Sequence, residues 1–319
     1  MQAETRSPVS RASHPRLPFP PFFADRGGAL SLSPLSAVAD VRWPAVARLG
    51  SLRLGTGAFS IWLQVRGEAE VRAREGRFVL RPGDWLAFER DSMPELIAGR
   101  HGVTLGLVLP PGGSRHACDL LPGHGRMARG DLRIALRLWR GGHVAAARRD
   151  ATGDRAVAAM LRHLAIQQRD LDHAVGRCPG RSLRRKRQVL GRLQRARLFL
   201  EGHRDRVVRL TELAELTSFS SWYFSKTFHG LYDESPQAAS VRLRLERACE
   251  LLARTDDAIG DVGAACGFDN GCSFARAFRT RFRTTASAWR EEARRGAKIG
   301  TGRQPSMQGE ARDASVTCP

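Results

Sequence analysis

The 319-residue chain lacks any long apolar run. No stretch approaches the roughly 20 consecutive apolar residues that a membrane-spanning helix needs. The first residues, MQAETRSPVSRASHPRLPFPPFF, contain Arg and Pro but no continuous apolar core of the kind found in a secretory signal. We therefore expect a cytoplasmic protein that neither spans a membrane nor carries a secretory signal.

The cysteines lack the spacing of a metal site. There are six, and they form neither a CxxC pair nor a zinc-binding pattern. We interpret them as reduced thiols in a cytosolic protein.

Acidic residues are too few to balance the basic ones. The chain has 52 Lys and Arg against 32 Asp and Glu, which gives a formal net charge of +20. The excess is denser towards the C-terminus, since residues 181–300 hold 24 basic and 14 acidic side chains. Such a charge suggests a polyanionic partner, either nucleic acid or an anionic membrane, and carries no information about the fold.

The apolar patterns predict an α+β protein. The segment AFSIWLQVRGEAEVRA alternates Phe59, Ile61 and Leu63 on one face with Trp62 and Gln64 on the other, as strands do. Gly/Pro turns separate several such strands, and helical spacing follows after Pro110-Pro111. Five segments are predicted: 1–35 disordered, 36–175 strands and then helices, 176–187 a basic linker, 188–295 all helical, and 296–319 a disordered tail.

Two segments 50 residues apart repeat one pattern, SSWYFSKTFHG and NGCSFARAFRT. Phe224 corresponds to Phe274 and Phe228 to Phe278, so each copy places two phenylalanines one helical turn apart on a predicted buried face. The opposite faces carry the following side chains at i, i+4 and i+7: Trp222, Lys226 and His229 in the first copy, and Cys272, Arg276 and Arg279 in the second.

Each copy follows a short apolar helix, LTELAELT or AIGDVGAACGF. Ser220 and either Asp269 or Asn270 are placed to cap the second helix of each pair, and Gly267 suits a left-handed turn. This order predicts two helix-turn-helix units, joined by a long helix in the segment SPQAASVRLRLERACELLART. The outer face of each second helix would then be free to enter a DNA major groove about 12 Å wide.

Residues from about 190 to 292 resemble the DNA-binding domain of the AraC/XylS family of bacterial transcription regulators. The resemblance is carried by LTELAELT, FSKTF, RLRLERACELL, IGDVGAACGF and SFARAFRTRF in this order. It implies base-facing positions in both second helices, and Arg276 as the main base-reading residue of the second unit because Gly271 and Cys272 are poor hydrogen-bonding partners. The predicted DNA-contacting set is Ser221, Trp222, Ser225, Lys226, His229, Asn270, Gly271, Cys272, Arg276 and Arg279.

The strand-rich half is similar, more loosely, to the cupin-like sensing domains of this family, through RPGDWLAF. Metal-dependent cupins use two closely spaced histidines and a Glu, but GTGAFSIWLQVRGEAEV contains no His, while His101 and His116 stand alone. The strands and their turns predict a small antiparallel barrel or sandwich, and the resemblance implies a cupin-like antiparallel β-barrel. The lack of paired histidines predicts no metal and no cofactor. An organic effector is one alternative and simple barrel filling the other; the pocket candidates are Trp62, Gln64, Arg81 and Trp85.

The leading hypothesis is a sequence-specific transcription regulator and not an enzyme, with double-stranded DNA as its partner. As an activator it would also need RNA polymerase, and the helices of 130–175 would either form a homodimer or cover the barrel. Two alternatives stay open: a cupin-type metalloenzyme with a basic helical appendage, and a non-specific nucleic-acid-binding protein.

Overall fold

The structure, a computed structural model, describes residues 22–33, 41–111, 120–148 and 153–298. Within these ranges the chain is an α+β protein in which strands precede helices, as predicted. The strands are β1 (Phe23–Ala24), β2 (Ala29–Leu32), β3 (Ala45–Ala47), β4 (Ser51–Leu54), β5 (Phe59–Arg66), β6 (Ala69–Ala73), β7 (Gly76–Leu80), β8 (Asp84–Phe88), β9 (Glu95–Ala98), β10 (Val103–Leu109) and β11 (Gly123–Arg126).

Ten helices follow the strands in the described ranges. They are α1 (Arg129–Arg148), α2 (Gly153–Gln167), α3 (Arg169–Arg177), α4 (Leu183–Gly202), α5 (Leu210–Thr217), α6 (Ser221–Tyr232), α7 (Pro236–Arg254), α8 (Ile259–Ala265), α9 (Gly271–Phe282) and α10 (Ala286–Lys298). None of the helices described here is long and apolar enough to cross a bilayer.

The strands form two sheets that pack face to face. One has the order β1-β3-β10-β5-β8-β11 and the other β2-β4-β9-β6-β7. Their facing side chains, Trp62, Leu86 and Phe88 from the first sheet and Leu80 and Leu96 from the second, share one buried core. The described strands therefore make a sandwich of two open sheets, and the predicted cupin-like antiparallel β-barrel is not confirmed.

The six-stranded sheet is buried on both faces. Along β5, Phe59, Ile61 and Leu63 pack against α1 and α2, while Trp62 points into the sandwich. The alternation predicted for this strand is therefore confirmed, with apolar partners on each side because helices cover the outer face.

The first two strands lie inside the segment predicted to be disordered. β1 pairs in parallel with β3, and β2 pairs in parallel with β4. These non-local ladders satisfy backbone groups that a Pro-rich flank cannot pair locally, which explains why local composition missed them. Residues 1–21 of that predicted segment lie outside the described residues.

Helix α4 begins inside the predicted basic linker 176–187. Ser182 caps it by accepting a hydrogen bond from the Arg185 backbone N–H at 3.2 Å. Its later turns supply the apolar side chains that make the helix stable, so the Arg-rich first turn extends a helix and does not connect domains as a loop. At the other end of the chain, α10 runs to Lys298, and residues 299–319 of the predicted tail lie outside the described residues.

Candidate nucleic-acid interface

Helices α5 and α6 form the first helix-turn-helix unit. Ser218 ends α5 in the left-handed conformation, with φ of 53°. Ser220 then caps α6, since its side chain accepts a hydrogen bond from the Tyr223 N–H at 3.3 Å. The Glu212 carboxylate accepts from the Arg209 N–H at the start of α5. The Arg206 guanidinium, bound to the same carboxylate, lowers the pKa of Glu212 to about 2.

Helices α8 and α9 form the second unit, which again has a left-handed residue in the turn and a side-chain cap on its second helix. Gly267 adopts the left-handed conformation at φ 75°, and Asn270 caps α9 by accepting from the Ser273 N–H at 2.8 Å. Of the two caps considered for this unit, Asn270 is therefore the one used. Its carboxamide oxygen also accepts from the Ser273 hydroxyl at 2.7 Å, so this side chain is occupied in holding the turn.

The repeat continues beyond the region in which the sequence revealed it. Asp233 and Arg283, which are 50 residues apart, end α6 and α9, the recognition helices of the two units, in the left-handed conformation. Ser235 and Thr285 then cap α7 and α10, again at equivalent places. The two units therefore share the left-handed end of the second helix and the side-chain cap of the helix that follows it.

The four phenylalanines dock each recognition helix on its own core. Phe224 and Phe228 are 0% and 1% exposed, and Phe274 and Phe278 are 1% and 0% exposed. Ring centroids within each pair lie 5.5 and 5.6 Å apart, the distance of favourable aromatic contact. Docking through these residues leaves the opposite face of each helix to solvent, as predicted.

The free face of α6 carries an aromatic-cation pair. Trp222 is 69% exposed, and the Lys226 ammonium lies 5.0 Å from the centroid of its ring. His229 is also exposed on this face, while Ser221 and Ser225 are half-buried at its edge. Of the five residues predicted for the first unit, the structure therefore exposes Trp222, Lys226 and His229 on the free face of α6.

The free face of α9 holds a shallow concavity between arginines. It is lined by Cys272, Ala275, Arg276, Arg279, Thr280 and Arg283. Among the residues described, no carboxylate lies within ion-pair distance of Arg276 or Arg279, so both charges are available to an external anion. Gly271 is exposed at the start of the same helix. Thr280 was missed from sequence, although its position four residues after Arg276 places it on the same face.

Helix α7 fixes the second unit relative to the first. Arg244 of α7 is 6% exposed and donates to the Gly267 carbonyl at 2.8 Å, while its guanidinium lies 4.4 Å from the Phe268 ring centroid. Gly267 itself abuts the loop before α5, where a Cβ would lie 2.6 Å from the Arg206 Cα. The turn of the second unit is therefore packed on the first, which holds α6 and α9 at one separation.

The four candidates for an effector pocket do not converge. Trp62 and Gln64 lie inside the sandwich, and Trp85 belongs to the core on the other face of the same sheet. Both ends of the Gln64 amide are hydrogen-bonded, to Thr104 Oγ1 and the Arg66 carbonyl. Arg81 is at the turn between β7 and β8, 3.4 Å from Glu68.

The described ranges contain no group of three or more His, Cys, Asp or Glu side chains placed to hold a metal. Cys178, Cys249 and Cys266 are buried, and Cys272 is exposed. Burial raises the pKa of Cys249 to about 12 and that of Cys266 to about 11. His116 and Cys118 lie outside the described residues.

Comparison with known proteins gives the same result for the C-terminal half. A family model described as a helix-turn-helix domain matches residues 213–292. The chain is 32% identical over 108 residues to the HTH-type transcriptional regulator CdhR of Pseudomonas aeruginosa, covering 34% of this chain and 30% of that protein. It is 28% identical over 98 residues to the MmsAB operon regulatory protein of the same organism, covering 31% and 32%.

A probable AraC family transcriptional regulator from Rhodopseudomonas palustris CGA009 matches in structure with 29% identity and a TM-score of 0.31, covering 32% of this chain and 96% of that one. The alignments with the two Pseudomonas proteins span about a third of their length. The family match, these two relatives and the paired units described above agree, and residues 213–292 form a helix-turn-helix domain of the AraC/XylS family.

Proposed function

We propose that the chain is a sequence-specific DNA-binding transcription regulator that places α6 and α9 in successive major grooves. The observation that carries this proposal is the duplicated unit. Two equivalent helices, each docked by a buried phenylalanine pair, present free faces with Lys226 in one copy and Arg276 in the other. A duplication of this kind inside one polypeptide suits two grooves about one helical turn apart.

Six of the predicted residues take three roles in this proposal. Trp222, Lys226 and Arg276 contact base edges, because Arg and Lys pair well with guanine and an indole offers an apolar surface to thymine methyl groups. Arg279 and His229 contact phosphates and set the position of the helices without selecting sequence. Asn270 acts as a cap, since its carboxamide oxygen is already used.

The β-rich half supplies signal sensing in this proposal. In its sequence this half resembles, through RPGDWLAF, the cupin-like sensing domains that precede such DNA-binding domains, and an organic effector acts through it. The regulator is a cytoplasmic bacterial protein and not an enzyme. Because it is an activator, it also contacts RNA polymerase. It forms a homodimer through the helices that follow the sandwich. Copurified small molecules released by denaturation and identified by mass spectrometry would test the sensing role.

The DNA-binding proposal is tested by selecting duplexes from a random pool with the full chain. We expect one enriched sequence, and we expect Arg276→Ala to weaken binding to it by about 1–3 kcal/mol by removing a base contact. Binding to unrelated duplexes should change little.

Arg281→Ala is the matched control, since Arg281 is exposed on the same helix but points away from Arg276. It removes an equal charge and should not alter the preference for the enriched sequence. Selection that enriches no sequence, or an Arg276→Ala protein with unchanged preference, would contradict the proposal.

A further inference from the structure

A basic surface beside the first helix-turn-helix unit has no role in the function proposed above. It consists of Arg181, Arg184 and Arg185, and we call it the α4 basic surface. All three residues are exposed, and no carboxylate in the described ranges pairs with any of them. Apart from a hydrogen bond from Arg185 Nη1 to Gln188 Oε1 at 3.0 Å, these guanidinium groups are free to bind an external partner.

The charges of these three arginines do not stabilise α4. The first turn of α4 contains no acidic residue, and it includes Arg184 and Arg185. Cations near the start of a helix are unfavourable, because the aligned peptide dipoles already place partial positive charge there. Adjacent guanidinium groups also repel one another. A bound polyanion would relieve both penalties.

The α4 basic surface lies close to the recognition helix α6. Arg177, the last residue of α3, donates to the Gly230 carbonyl at 3.0 Å and to the Asp233 carboxylate at 2.7 Å, at the C-terminal end of α6. Lys186 of α4 donates in turn to the Gly176 carbonyl at 3.2 Å. Three hydrogen bonds therefore connect the start of α4 to the end of α6 through the end of α3, and the basic character of the unit continues past that end.

We propose that the α4 basic surface binds the sugar-phosphate backbone of the same DNA duplex, next to the groove that α6 occupies. This proposal rests on the proposed function, because it assumes that α6 contacts DNA. Guanidinium groups match phosphate geometry and form paired hydrogen bonds with it. Phosphate contacts carry no direct sequence information, so the surface adds affinity and salt dependence while α6 and α9 set the sequence preference.

The test compares two triple variants of the full chain. One is Arg181→Gln, Arg184→Gln, Arg185→Gln. The control is Arg66→Gln, Arg90→Gln, Arg100→Gln on the sandwich, which removes equal charge from exposed arginines that also have no carboxylate partner in the described ranges. Dissociation constants for the selected duplex are measured between 50 and 300 mM salt, after circular dichroism shows that both variants retain the wild-type helix content and melting temperature.

Each phosphate contact contributes about 0.9 to the slope of log affinity against log salt. The α4 variant should therefore bind with a slope that is shallower by about 2–3, equally for selected and unrelated duplexes, and the sandwich control should keep the wild-type slope. Removing half a turn of DNA on the α6 side of the selected duplex should abolish the difference between the α4 variant and wild type.

A wild-type slope in the α4 variant, or equal changes in both triple variants, would overturn this assignment. In either case Arg276→Ala would still lose its preference for the selected duplex if the proposed function holds. Equal binding of every duplex by the wild-type protein would instead reject the proposed function itself.

Discussion

At the scale of single residues, Cys272 distinguishes the second unit from the first. It occupies the position that corresponds to Trp222, on the exposed face of α9, and it lines the same concavity as Arg276. A thiol is a weak hydrogen-bonding group, so we do not expect Cys272 to select a base. We expect bound DNA to cover it, which makes its reactivity a probe of DNA contact.

Cys272 should be alkylated readily by iodoacetamide in the free protein, because it is the exposed cysteine among the described thiols. Buried Cys249 and Cys266, whose pKa values burial raises to about 12 and about 11, should react far more slowly. Selected duplex at a hundred times its dissociation constant should slow alkylation of Cys272 by up to about 100-fold. Mass spectrometry of peptides gives the rate at each cysteine.

An unrelated duplex at the same concentration serves as the control and should protect Cys272 only weakly. Equal alkylation of Cys272 with and without saturating selected duplex would show that α9 does not face the DNA.

Individual residues were predictable where the pattern is local. The phenylalanine pairs, the caps Ser220 and Asn270 and the left-handed Gly267 follow from spacing within a few residues. Trp62 and Trp85, both candidates for one effector pocket, lie in different cores on opposite faces of the same sheet. Which core each side chain joins depends on which surface of the sheet the helices cover.

At the scale of elements, α4 belongs to two cores at once. Leu198 contributes to the core of the sandwich, whereas Leu190, Leu193 and Leu200 contribute to the core of the first helix-turn-helix unit. The sequence predicted the helix but not this double role, since its two apolar faces can be assigned to different partners only once the sandwich is in place.

A buried ion pair also joins α4 to the sandwich. Arg195 Nε lies 2.8 Å from Glu75 Oε1, and its Nη2 lies 2.9 Å from Asp91 Oδ2. The Glu75 side chain is 1% exposed, and Ser92 donates a further hydrogen bond to it. Because Glu75 is withdrawn from water, its charge depends on Arg195 for compensation.

Arg195→Ala should therefore lower the free energy of unfolding by about 3–5 kcal/mol, since it leaves the Glu75 carboxylate buried without its partner. Urea denaturation followed by circular dichroism gives this quantity. Arg77→Ala is the control, because Arg77 pairs with Glu70 while 64% of its side chain is exposed, and it should cost less than about 1 kcal/mol. Equal small effects of both substitutions would mean that α4 is not anchored through Glu75.

At the scale of the whole molecule, α3 and α4 join the two halves. Val175 of α3 packs into the core of the first unit, and Gln168, just before α3, exchanges two hydrogen bonds with the backbone of Leu121. The order of strands and helices was predictable from periodicity, but these contacts were not, because they join segments about 50 residues or more apart in the chain. The domain boundaries 36–175 and 188–295 stay predictions, and α3 and α4 are the elements that cross between them.

We expect one chain to place α6 and α9 in two grooves on the same side of one duplex, at a separation set by α7 and Gly267. The most direct measurement is a hydroxyl-radical footprint on the selected duplex, repeated after inserting about 5 base pairs between the two protected stretches. We predict two stretches about 10 base pairs apart on one face, and binding that falls towards the non-specific level, typically about 1,000-fold weaker or more, once the insertion turns them to opposite faces. A single protected stretch, or affinity unchanged by the insertion, would contradict this placement of α6 and α9.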